Sequence, residues 1–360
     1  MIRTICRAIV FVSVVVPWAA PRLAAQRLVW RNEFTFYGDN TEFFTPFREG
    51  ETLLGGQFRS FLRFKTSERT EVLAGVFGEQ RSGSDEFLDP VKPLLSFRYR
   101  TDHSLGVLGT LETADRHGLL EPLQVTTLEI TRPVESGLQW VERRETVDAE
   151  AFINWQVLNT RASREIFDYG LVLRVRPLSF LELEYQGHGK HRGGQLFSAG
   201  VPVTNNFAGG PGLRLTAALP MVRQGSLALF RLWSSGIFAT DPPPGRPEKG
   251  HGTYLKASVT PPLGEFFTVL WWGRDFSSEE GDNNYNSVGI DPTFYRSKRR
   301  YTEVGFVRRM TIDEAVHFRV ELRFHKIDHD TSKAISGTNW EYSYRIMVQA
   351  PFEIPILGEP

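Results

Sequence analysis

The chain has 360 residues, 42 Lys and Arg balanced by 42 Asp and Glu, and an aromatic share of 12% that includes 27 Phe. This balance argues against a nucleic-acid-binding surface, and one cysteine, Cys6, excludes a disulfide framework and a thiolate metal site. No segment holds the roughly 18 uninterrupted apolar residues of a membrane-spanning helix.

Arg3 and Arg7 precede a run from Ala8 to Ala20 that is apolar apart from Ser13, and Leu23-Ala24-Ala25 follows. This is the pattern of a secretory signal peptide cleaved before Gln26. The run is too short for the roughly 20 residues of a spanning helix. Residues 1–25 are therefore expected to be a leader, 26–352 one barrel domain and 353–360 a short tail. The leader segment carries three Arg and no acid, so the remainder has a small acidic excess.

Alternating segments then recur. Leu54, Gly56, Phe58, Ser60, Leu62 and Phe64 oppose Gln57, Arg59, Arg63 and Lys65. Leu95, Phe97 and Tyr99 oppose Ser96, Arg98 and Arg100. Leu105, Val107, Gly109 and Leu111 continue the apolar face. Val147, Ala149, Ala151, Ile153, Trp155 and Val157 oppose Asp148, Glu150, Asn154 and Gln156. Phe167 to Val175 opposes Asp168, Arg174 and Arg176; Leu181, Leu183 and Tyr185 oppose Glu182, Glu184, Gln186 and His188. Val316, Phe318, Val320, Leu322 and Phe324 oppose His317, Arg319, Glu321, Arg323 and His325. A period of two places one set on each face of a β-strand.

The last segment is the longest. Trp340, Tyr342, Tyr344, Ile346, Val348, Ala350 and Phe352 lie on one face, and Glu341, Ser343, Arg345 and Gln349 on the other. Long, aromatic and ending on Phe, it resembles the C-terminal strand of bacterial outer-membrane β-barrels. The resemblance implies an all-β, antiparallel up-and-down transmembrane barrel in the outer membrane of a Gram-negative-type bacterium. Counting back from this strand gives short turns at 66–70, 101–103, 144–145, 177–178, 219–224, 261–264 and 309–314. Long external loops fall at 38–52, 80–92, 114–134, 189–205, 235–250, 275–298 and 327–338, with a short external connection at 159–163. Short periplasmic turns, long external loops and an even strand number are the rule for such barrels. The count is about sixteen strands, within two either way. Val125–Thr131 is either an extra strand or an extension of its neighbour.

At this size the lumen is wide enough for an aqueous channel. Asp115, Arg116, His117 and Glu121 belong to the third external loop, a position that resembles the inward-folded third loop of general porins. They are expected to form a constriction. Arg59, Arg63, Arg98, Arg100, Arg319, Arg323 and Arg345 would make one side of the lumen basic, and Asp148, Glu150, Glu182 and Glu184 the other acidic, unless neighbouring strands neutralise each other. The leading expectation is thus a porin-like channel for passive diffusion of small polar solutes, in contact with outer-membrane lipid and able to form homo-oligomers. An export barrel for an anionic polymer such as an exopolysaccharide is the alternative. An outer-membrane rim hydrolase using His325, Asp328, His329 and Asp330, or His188 and His191, ranks below both, so enzyme activity is not the favoured reading. Gly-x-Ser-x-Gly and His-Glu-x-x-His are absent, and Gly193-Gly194 and Gly209-Gly210 precede no helix. No cofactor or metal is expected.

Overall fold

The structure is a computed structural model that describes residues 27–194, 196, 202–220, 222–237, 248–291, 293–313, 315–329 and 331–357. The expected leader lies outside these residues. Sixteen strands follow one another around a closed antiparallel barrel. They are β1 (Arg27–Phe44), β2 (Glu49–Lys65), β3 (Thr70–Arg81), β4 (Val91–Arg100), β5 (Ser104–Thr110) and β6 (Ser136–Arg143). Next come β7 (Val147–Val157), β8 (Glu165–Leu178), β9 (Leu181–Gly193), β10 (Thr204–Leu219) and β11 (Val222–Ile237). The circle ends with β12 (Lys249–Thr260), β13 (Glu265–Arg274), β14 (Lys298–Ile312), β15 (Val316–Ile327) and β16 (Trp340–Leu357). Pairing of β1 with β16, from Leu28 opposite Leu357 to Glu42 opposite Tyr342, closes the wall. Closure leaves no sheet edge, the condition for strands to stand in lipid.

Three boundaries differ from the sequence expectation. The β1–β2 connection is only residues 45–48, because both strands continue into what reads as a polar loop. β16 runs past Phe352 to Leu357, so most of the expected tail is wall, with Glu353 opposite Arg31. Leu128–Thr131 is one helical turn inside the third external loop rather than a strand.

The outer surface follows the alternation. Trp30, Phe97, Tyr99, Phe266 and Phe352 are exposed near the periplasmic end, and Trp155, Trp233, Trp272, Trp340 and Tyr342 near the external end. Two aromatic girdles with an aliphatic band between them match the two interfaces and core of a bilayer. Leu322 lies in that band, midway along β15. Leu322→Arg is expected to cost about 2–4 kcal/mol of folding stability in bilayers. Urea titration in liposomes checks this, with Leu322→Met as the tolerated control.

One face runs opposite to the expectation. Leu105, Val107 and Leu111 point into the lumen, whereas Leu108 is 57% exposed outside. In register, Leu105 is opposite Arg100 and Leu108 is opposite Phe97. The inward apolar patch has a partner that local alternation does not reveal. Val107 and Leu111 pack with Phe152, and Leu119 of the third loop seats against them.

Candidate functional site

The third external loop, residues 111–135, descends into the barrel and binds the wall on several sides. Leu123 and Ile130 are fully buried. Gln57 Nε2 donates to the Ile130 carbonyl at 2.9 Å and Arg59 to the Pro133 carbonyl at 2.6 Å. Across the lumen, Arg174 donates to the Gly118 carbonyl at 3.0 Å, and the Gln186 side chain accepts from Leu120 N at 2.8 Å. Arg116, His117 and Gly118 all have left-handed backbone, φ 50°, 62° and 68°. Two of these are non-glycine residues, for which that conformation is unfavourable, so it persists through the side-chain contacts.

Those contacts are strong. Arg116 pairs with Glu135 at 2.6 Å. His117 lies between Glu135, 2.7 Å from Nε2, and Glu150, 2.5 Å from Nδ1, and stacks on Phe152 with centroids 3.7 Å apart. Burial works against a charged imidazole here. Hydrogen bonds and attraction from Glu135 and Glu150 outweigh it and raise the His117 pKa above its ordinary value. Glu121 pairs with Arg323. The side chain of Asp115 lies outside the described residues. Arg116, His117 and Glu121 are therefore brought inside the lumen, but each is committed to a partner.

The loop between β13 and β14 closes the same end. Phe276 and Tyr285 are fully buried, and Trp271 Nε1 donates to the Tyr285 carbonyl at 3.1 Å. Gly252 makes room for that indole, since a Cβ there would stand 2.0 Å from the Trp271 ring. Arg48, from the β1–β2 turn, pairs with Asp282. Both loops thus pack into the external half of the lumen, where Leu123, Phe276 and Tyr285 share one buried apolar cluster.

The lumen charges are matched pair by pair rather than divided into a basic and an acidic side. Arg98 pairs with Glu112 at 2.5 Å, Arg63 with Glu353 at 3.2 Å, and Arg59 with Glu33 at 3.9 Å. Asp148 and Glu182 hold Arg176; Glu184 holds Arg214 at 3.0 Å and Arg174 at 3.4 Å. Arg319 meets Glu129 and Glu321, Arg345 meets Asp39, and Arg323 meets Glu321 at 2.7 Å, Glu303 at 3.1 Å and Glu121. Arg100 stands at the periplasmic mouth. Desolvation explains the pairing: a loop-filled lumen cannot leave charges to bulk water.

The histidines expected at the rim are dispersed. Asp328 accepts from Arg299 Nε at 3.0 Å and from Arg300 N at 3.0 Å, which anchors it structurally. His329 packs edge-on to Phe47 and Phe294. His188 bonds Asp168 at 3.0 Å, and His191 bonds Asn205 at 2.7 Å. Asp330 lies outside the described residues.

His325 alone sits in a chain of groups with catalytic order. Its Nε2 is 2.9 Å from Ser343 Oγ and its Nδ1 is 2.6 Å from the Tyr301 hydroxyl, which donates to Glu303 at 2.8 Å. The Tyr301 oxygen then accepts from Nδ1–H, leaving the Nε2 lone pair toward the Ser343 hydroxyl. A hydroxyl, a base and a group orienting that base are the parts of an activated nucleophile. Register assembles them. His325 is opposite Glu303 on β14 and Glu341 on β16, so Tyr301 and Ser343, each two residues away, are its diagonal neighbours on the lumen face. Sequence reasoning missed Ser343 and Tyr301, although the β15–β16 hairpin register is the signal that pairs Ser343 with His325.

Ser343 and His325 line a small pocket with Asp39, Arg48, Thr126 and Arg345; its volume is about 20 Å³, enough for one water. Beyond it lies a more open apolar groove of about 500 Å³, lined by Phe43, Phe44, Pro46, Phe294, His329 and Ile335. Arg48 borders both spaces, and Phe43 lies against the His325 ring, centroids 4.9 Å apart.

The model of the lipid A 3'-O-deacylase-type family matches residues 22–356. No curated protein matches the chain. Among solved structures, the outer membrane protein OprD of Pseudomonas aeruginosa is similar at 12% identity and TM-score 0.51, over 91% of this chain and 94% of that one. A loop-deletion mutant of OmpT from Vibrio cholerae is similar at 6% identity and TM-score 0.54, over 91% and 100%. These likenesses establish the barrel fold, and the family places the chain in the Gram-negative outer membrane. The family match corrects the expectation against an enzyme, because a deacylase is a hydrolase.

Proposed function

The chain belongs to the lipid A 3'-O-deacylase-type family, and from that premise we propose that it hydrolyses an ester-linked acyl chain of lipid A in the outer leaflet. The family match along nearly the whole chain is the observation that carries this reading. The relay at the external end supports it, since the ester of an outer-leaflet lipid lies at that depth.

In the proposed reaction the acyl chain lies in the apolar groove and the ester carbonyl reaches the pocket as Phe43 swings aside. Ser343 Oγ attacks the carbonyl carbon while its proton passes to His325 Nε2. The tetrahedral intermediate collapses, the bond to the sugar oxygen breaks, and that oxygen takes the proton from His325. Water, deprotonated by His325, then cleaves the acyl-serine to free fatty acid and regenerates the serine. Tyr301 and Glu303 position the imidazole; Arg48 and Arg345 line the pocket, each already paired with a carboxylate, Asp282 and Asp39.

The test uses purified protein in mixed micelles with lipid A. The expected result is a free fatty acid together with a lipid A lighter by one ester-linked acyl group, read by mass spectrometry. Intact lipid A after incubation with protein shown to be folded by heat-modifiable electrophoresis would reject the proposal.

A further inference from the structure

Below the plug the lumen has a different electrostatic character. Two cavities, of about 540 and 560 Å³, share Arg31, Arg98 and Glu112, and so run together from the underside of the third loop to the periplasmic mouth. The space is closed above by Arg116, Glu129 and Pro133 of that loop and opens below among Lys65, Arg69 and Leu357.

In the external half, cations such as Arg323, Arg345, Arg48 and Arg132 each have a carboxylate partner. At the mouth the balance fails. Arg27, Lys65, Arg69 and Arg100 line it, with no carboxylate partner among the described residues. The nearby acids are already committed: Glu353 serves Arg31 and Arg63, while Glu71 and Glu112 both serve Arg98. Glu68 is the one other acid in the lining. Arg31 and Arg100 also stand near enough to Arg98 for their charges to oppose its own. Like charges in a walled cleft repel each other and focus a positive potential.

We propose that this blind cationic vestibule is a second site, open to the periplasm, that binds a small soluble oxyanion bearing two or more phosphate or carboxylate groups. Guanidinium groups present paired N–H donors matched to both kinds of oxyanion. The cavity volumes fall in the range of small-molecule sites, about 300–1,000 Å³. The site is separate from the relay above the plug and stands whether or not the deacylase reading does.

Calorimetric titration of the full-length protein in neutral detergent at low salt tests it, with inorganic tripolyphosphate and citrate as separate probes. Saturable binding of one probe or both is expected, weakened roughly tenfold or more in the Lys65→Ala/Arg100→Ala double variant and by added salt. A preference for tripolyphosphate identifies a phosphate ligand, and a preference for citrate a carboxylate. Both changes lie at a solvated mouth, and heat-modifiable electrophoresis confirms that the variant is folded. No binding of either probe at about 1 mM, the weak end of useful affinities, would overturn the site. Equal affinity in the double variant would overturn it as well.

Discussion

Ser343→Ala is expected to lower kcat for acyl release by roughly 10³- to 10⁶-fold, the range seen when an activated serine is removed from a unit of nucleophile and base. The groove and the pocket cations are untouched by this change, so KM is expected to move little. His325→Ala should lose about as much, since each group is idle without the other, and the double variant should be no worse than either single one. Tyr301→Phe keeps the ring and removes the hydroxyl 2.6 Å from His325 Nδ1. It should give a smaller loss, confined to kcat, because it frees the imidazole to choose its tautomer. Single-turnover assays with heat-modifiable electrophoresis as the folding control measure all four. A fluorophosphonate probe should label Ser343 in the parent and not in His325→Ala. Wild-type turnover that survives Ser343→Ala would mean that His325 activates water directly and would remove the acyl-enzyme while leaving the deacylase reading intact.

His117→Ala is expected to destabilise the seated third loop by about 3–5 kcal/mol, the usual consequence of removing one partner from a buried charge cluster. The ring stacked on Phe152 goes, and Glu135 and Glu150 lose their shared partner. Arg116 still holds Glu135, and Gln139 still donates to Glu150 at 2.7 Å, which sets the loss toward the lower end. The pH dependence has a definite sign. The folded pKa of His117 is raised, so its contribution is complete below the ordinary histidine value of about 6.5 and is lost as pH rises through the folded value. The parent should therefore show loop protection that falls with pH above neutrality, whereas His117→Ala should be flat in that window. Limited proteolysis within residues 111–135, quantified from pH 6 to 9 at intervals chosen around that pKa of about 6.5, reads this directly. A parent profile as flat as that of the variant would show that the ring is neutral in its seat.

The barrel was legible because its determinants are local. Alternation from Leu54 to Lys65 or from Trp340 to Gln349 reports which side meets lipid, since every outward residue faces the same apolar medium. Loop lengths report the side of the membrane. From these the sixteen strands, their direction and the outer membrane follow; the inward turn of the loop around His117 was an expectation drawn from its position. The charged residues at alternate positions were read onto the lumen side, but which partners they meet was not legible.

What the lumen holds was decided only by tertiary structure. A lumen-facing position accepts either a polar group in water or an apolar group under a plug, so Val107 and Leu111 give no sign of their side until Leu119 is seen against them. The same ambiguity hides the pairing of Arg323 with Glu121, more than half the chain away in sequence. Arg323→Leu, which reads from sequence as a change to the lumen alone, would remove a cation shared by Glu121, Glu303 and Glu321, leaving Glu321 to Arg319 and Glu303 to the Tyr301 hydroxyl. His325 was visible as a histidine, and its family places it in a hydrolase, but Ser343 and Tyr301 become its partners only through the registers of two different hairpins. Sequence alternation determines the face on which a residue lies; the register of neighbouring strands and the descent of distant loops determine what it meets there, because those contacts join segments that no local pattern connects.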